Sequence, residues 1–198
     1  MQGDWRLQQE DIDTIVAWVN QGAPLGDPDQ AVPAPVLNDP NEWNFVDQFG
    51  QPDVIIPSVA MDIPADGNDL WSNHYVESTI TTDRCIKAVQ VRPRGNAKAV
   101  VHHANSSVEL LQDDGSFEAS GDRASEYAMG KLGEIIPDGV CRTMPADAWI
   151  RLDIHMYPGG LGAAAPNTVL EANVVELAIW LHPEDYEFEY KQDLSLYG

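Results

Sequence analysis

The sequence predicts an all-β protein, an antiparallel β-sandwich or jelly roll carried behind an N-terminal helix and a long proline-rich arm. Three observations carry that expectation. From about residue 54 the chain falls into short β-branched or alternating runs divided by Gly, Pro, Asp and Asn. No helical period separates those runs, as a parallel βαβ chain would require. With 198 residues, 43% of them hydrophobic, the chain suffices for one packed core plus an arm, and two full domains would be a tight fit.

Residues 8–21 read as a helix: Ile12, Ile15, Val16 and Val19 follow its spacing, acidic residues occupy the first turn, and Gly22 and Pro24 end it. Residues 22–53 are rich in Pro, Asp and Asn and read as an extended linker, with Trp43 and Phe45 as its anchors. The β domain, residues 54–198, holds the runs "DVIIPSVAMDI", "HYVESTI", "CIKAVQVRP", "KAVVHHANSSVELL", "AWIRLDIHMY" and "VLEANVVELAIWLH". Residues 112–140 read as a long irregular insertion between the strands that bear the histidines.

A formal net charge of −21 repels phosphate backbones and anionic lipid, which argues against nucleic-acid binding. It suits cationic partners, metal ions or a salty exterior without selecting among them. No run reaches the length of a membrane span, and the chain does not open on a signal peptide, so an exported protein would carry its signal upstream. Cys85 and Cys141, with no CxxC, permit one disulfide without demanding it.

Two of only five histidines, His102 and His103, are adjacent in a predicted strand. Successive strand side chains point to opposite faces, so the plain expectation is one packed and one exposed imidazole. Both reach one ion only where the strand is bulged or twisted; a third histidine from a neighbouring strand would complete a site suited to copper, zinc or nickel. In "WIRLDIHMYPGG", Ile150, Leu152, Ile154 and Met156 share the core side, while His155 projects from the polar face with Trp149, Arg151 and Asp153. His74 reads as strand decoration and His182 as structural. Met129, Met144 and Met156 are potential soft ligands but ordinary core fillers. GxSxG, P-loop, dinucleotide and haem-attachment motifs are all missing from the sequence. "DDGSFEASGD" at 113–122 lacks the spacing of an EF-hand and reads as a solvated turn.

In this order, "DRCIKAVQVRP" (83–93), "VVHHA" (100–104), "LDIHMYPGG" (152–160) and "LAIWLHPEDYEFEYKQDLSLYG" (177–198) resemble the N-terminal, first-copper domain of the copper type II, ascorbate-dependent monooxygenases. The likeness is to bacterial relatives of the peptidylglycine α-hydroxylating and dopamine β-monooxygenases and covers roughly residues 54–198. It implies one copper held by His102, His103 and His155. Met156 stands where the family commonly has tyrosine, either as an added weak ligand or as a tolerated swap. The family hydroxylates at a second copper, held by a His-x-His motif and a methionine in a following domain; this sequence contains no His-x-His. The expectation is therefore the electron-transfer half of a monooxygenase-like protein, extracytoplasmic, without the oxygen-activating centre. The opening helix likewise resembles the closing helix of a bacterial cytochrome c-type domain. Its partners would be a second copper domain or a redox protein such as a cytochrome complex.

A rival expectation is a non-catalytic accessory subunit of an exported redox complex. The arm at 22–53 would then strap it to its partner, and the 112–140 loop and the exposed aromatics Trp5, Trp43 and Trp71 would supply contact surface. A hydrolytic zinc site on the same histidines would have only Glu109 or Asp153 as candidate base.

Overall fold

Two sheets face each other across one apolar core in the computed structural model of the chain, which describes residues 6–33, 41–62, 69–128, 130–157, 169–170 and 174–192. This is the all-β sandwich that the sequence predicts. The chain divides into two compact units, Met1–Leu37 and Asn38–Gly198, so the stretch read as one linker is shared between them.

In the first unit, helix α1 spans Gln9–Asn20, close to the predicted bounds, and the chain leaves it through Gly22 at φ +86°. None of its residues is buried; Ile12, Ile15, Val16, Trp18 and Val19 are each 40–56% exposed. Trp18 Nε1 donates to the Pro24 carbonyl, and a short turn at Pro28–Gln30 is capped by the Asp27 side chain. Trp5 lies outside the described residues.

The second unit begins with a one-turn helix, α2 (Val46–Phe49), followed by strands β1 (Val54–Pro57), β2 (Met61–Asp62), β3 (Leu70–Glu77), β4 (Arg84–Pro93), β5 (Val101–Leu111), β6 (Phe117–Ala128), β7 (Glu134–Ile135), β8 (Val140–Met144), β9 (Trp149–Met156), β10 (Val169–Leu170), β11 (Val175–Leu181) and β12 (Tyr190–Lys191). One sheet runs β1-β11-β4-β8-β12 with β7 also on β4; the other runs β3-β9-β5-β6; β2 pairs with β10. The pairs are antiparallel except β12 on β8.

The sheets differ in what covers them. Val89 and Val91 of β4 with Leu177 and Ile179 of β11 face Ala104 and Val108 of β5 and Ile150, Leu152 and Ile154 of β9 in the core. The opposite side of β4 and β11 is covered too, by Trp43, Phe45, Val46 and Phe49 packed on Ala88, Ala178 and Trp180. Strands buried on both faces read as continuous apolar runs, which is why "KAVQV" and "ELAIWL" show no alternation. Trp43 and Phe45 are thus anchors, as predicted. Trp43, only 7% exposed, is not the contact surface that the accessory reading assigned it. Among the described residues the β3-β9-β5-β6 sheet packs on its core side, so β3 alternates between half-buried and exposed positions and β9 between half-buried and buried ones as far as Ile154, after which His155 is buried too.

The predicted irregular insertion at 112–140 is corrected. Gln112 and Ser116 close a turn through Gly115 at φ +82°, and β6 returns along β5 as a twelve-residue hairpin strand, followed by β7. Ser, Gly and Asp within β6 hide the strand from composition, and register shifts against β5 break its alternation. Cys85 and Cys141 form a disulfide between β4 and β8, Cα atoms 4.9 Å apart. It braces the sheet opposite the histidines rather than the strands that carry them. Among the described residues no helix is long and apolar enough to cross a membrane.

Candidate metal centre

The site is built by a slip in strand pairing. Along β5 and β9, Asn105 pairs with Asp153, Ala104 with Ile154 and His103 with His155; the next pair is Val101 with Met156. His102 is the extra residue, a β-bulge with two residues on one strand facing one on the other. Val101, Ala104, Ser106 and Val108 remain buried while His102 and His103 both stay on the outer face. The bulge therefore aligns two adjacent side chains that a regular strand would separate.

Strand β9 brings the third. His155 Nδ1 lies 3.3 Å from His102 Nδ1 and 3.3 Å from His103 Nδ1. One nitrogen from each of the three rings lies within 4.8 Å of the others. His102 is exposed, His103 half-buried and His155 buried. Two nitrogens bound at about 2.0 Å to one ion in a tetrahedral arrangement are about 3.3 Å apart, the separation that His155 Nδ1 keeps from each of the other two rings. The donor set is nitrogen only, which suits copper, zinc or nickel over calcium or magnesium. Beside the pair lies a groove of about 470 Å³ lined by His102, His103, Asn105, Glu126, Tyr127 and Ala128. Burial, then the charges of His155 and His102, pulls the His103 imidazole below its usual value, against Asp153 and Glu126. A lowered value keeps the ring neutral, the form that binds metal.

The start of β3 completes the site, and the sequence reading missed its role. Trp71, the register partner of His155, stacks on that ring at 4.2 Å and 7° and meets His103 edge-on at 5.2 Å. Asp69 Oδ2 lies 3.2 Å from His155 Nε2, a buried nitrogen that makes no aligned hydrogen bond. The sequence marks Trp71 only as an exposed aromatic; its place opposite His155 depends on a pairing that no local pattern announces.

The other candidates lie elsewhere. Met156 is corrected as a ligand: alternation turns it away from His155, and it is fully buried in the core. Met144 fills the same core, and Met129 lies outside the described residues. His74 touches Ser72 Oγ at 2.9 Å and Met61 Sδ at 3.2 Å, and burial lowers its pKa. His182 is buried and stacked on Tyr186 at 3.6 Å, as a structural histidine should be. Glu109, buried and accepting from Ser107 Oγ, sits six residues along β5 from His103, about 20 Å away and no base for this site. Asp153 is two register rows from the histidines, with Arg151 at 4.0 Å.

No protein-family model, curated protein or solved structure matches this chain.

Proposed function

We propose that this protein binds one copper ion through His102, His103 and His155 and serves as the electron-transfer half of a copper monooxygenase-like system. The observation that carries the reading is the pair of 3.3 Å contacts that bring three Nδ1 atoms together on the outer sheet face. Copper would supply a one-electron centre, since imidazole donors serve both of its oxidation states. The chain's own residues do the rest. The bulge presents His102 and His103 side by side, His155 supplies the buried third donor, and the exposed flank at His102 leaves room for a redox partner to approach. Oxygen activation would fall to a second copper domain, because this sequence carries no His-x-His pair. A disulfide supports an extracytoplasmic setting.

Anaerobic copper titration of the full chain tests the reading: one equivalent binds to wild type and none tightly to His102→Ala. Unchanged stoichiometry in the variant refutes it.

A second reading, an accessory subunit of an exported redox complex, is favoured by α1. A twelve-residue helix is marginal in water by itself, and this one leaves Ile12, Ile15, Val16 and Val19 exposed. Metal analysis of protein purified without added copper separates the two. A copper-free chain that co-purifies with a larger complex favours the accessory role.

A further inference from the structure

We infer that Asp69 and Trp71 are positioning residues for His155, fixing its ring in the Nε2–H tautomer with the Nδ1 lone pair turned toward His102 and His103. The inference deepens the metal reading and rests on it for the affinity measurement alone.

A neutral imidazole carries one proton, and which nitrogen holds it decides which can ligate. His155 Nδ1 faces two other ring nitrogens at 3.3 Å, whereas its buried Nε2 faces a carboxylate oxygen at 3.2 Å. A carboxylate only accepts, so the favourable arrangement puts the proton on Nε2 and frees Nδ1. The contact lacks the alignment of a completed hydrogen bond, so the inference requires the 57%-exposed Asp69 side chain to rotate to complete it. The Trp71 indole, parallel to the ring at 4.2 Å, holds the ring plane meanwhile. Both residues come from the entry to β3, so one short segment sets the plane and the tautomer of the most buried ligand. Metal-bound histidines commonly depend on such outer partners, with losses of about 10–100-fold in affinity when they are removed.

The test uses the full metal-free chain at pH 8, ¹⁵N-labelled, with long-range proton–nitrogen correlation of the imidazoles. His155 is expected as the Nε2–H tautomer in wild type and in Asp69→Asn, whose amide oxygen still accepts, and as a mixture in Asp69→Ala. Copper affinity is expected to fall about 10–100-fold in Asp69→Ala and to recover in Asp69→Asn; Trp71→Leu weakens binding while leaving the tautomer in place. A wild-type Nδ1–H tautomer, or an Asp69→Ala chain with unchanged tautomer and affinity, overturns the proposal. A wild type that takes up no copper, yet loses its Nε2–H tautomer in Asp69→Ala, upholds the positioning and overturns the metal reading.

Discussion

Deletion of His102 separates the bulge from the fold. Because Val101 already pairs with Met156 and His103 with His155, removing the residue between them leaves a regular ladder with every other partner kept. Mid-strand deletions ordinarily throw a whole set of side chains onto the wrong face. Here the unpaired residue is the one removed, so the chain should melt within about 2 °C of His102→Ala, a shift worth under about 1 kcal/mol at this size. Deletion of Ala104 is the control. It forces either Val108, now 1% exposed, out of the core or a histidine into it. Expelling a valine costs about 1.5–3 kcal/mol, a fall of about 3–12 °C.

Copper binding should respond to the missing donor, not to the strand. Four-ligand zinc sites release about 10–16 kcal/mol, about 3 kcal/mol per donor, so losing one of three nitrogens should cost about 100-fold in affinity. Deletion of His102 and His102→Ala should then weaken copper equally. The assays are thermal melting by circular dichroism and competitive copper titration. A His102 deletion that melts as low as the Ala104 deletion, or that binds copper like wild type, refutes the bulge argument.

Reducing Cys85–Cys141, which are 56 positions apart, should cost about 4 kcal/mol of chain-entropy stabilisation; an unchanged melting temperature under reductant would contradict this. Glu176, 5% exposed, meets Arg92 at 3.4 Å and Arg94 at 3.2 Å, so Glu176→Ala should cost about 1.5–3 kcal/mol in urea unfolding by removing the carboxylate that both guanidiniums share. For pH, burial lowers the values of His74, His103 and His182. The unfolded chain, titrating near 6.5, therefore takes up protons before the folded one. Metal-free stability should be flat above about pH 7 and fall as pH drops below about 6.5 toward the folded values, with a shallower fall in His182→Gln; melting curves from pH 8 to 5 check the sign.

Fold class was legible because turn residues cut β-branched runs at strand length, and β9 announced its two faces by strict alternation. What was hidden depended on pairing. Strand β6 carries Ser, Gly and Asp, and its partner β5 slips register along it, so neither composition nor period marks it. Adjacency and likeness single out the candidate ligand histidines, while the bulge that unites them has no mark in the sequence. Asp69 and Trp71 could not be tied to His155 beforehand, since their meeting joins segments more than 80 positions apart through the β3–β9 register. Met156 misled because it follows His155 in sequence, where neighbours in a strand are opposites in space.

That opposition has a consequence for handling the protein. On β5 and β9 the imidazoles hang from one side while the apolar contacts that hold the domain hang from the other. On the proposed reading, emptying the centre with a chelator and unfolding the chain should thus be separate events, unlike in a zinc finger, where metal and fold vanish together. A stripped sample should remain assembled and accept a new ion without refolding.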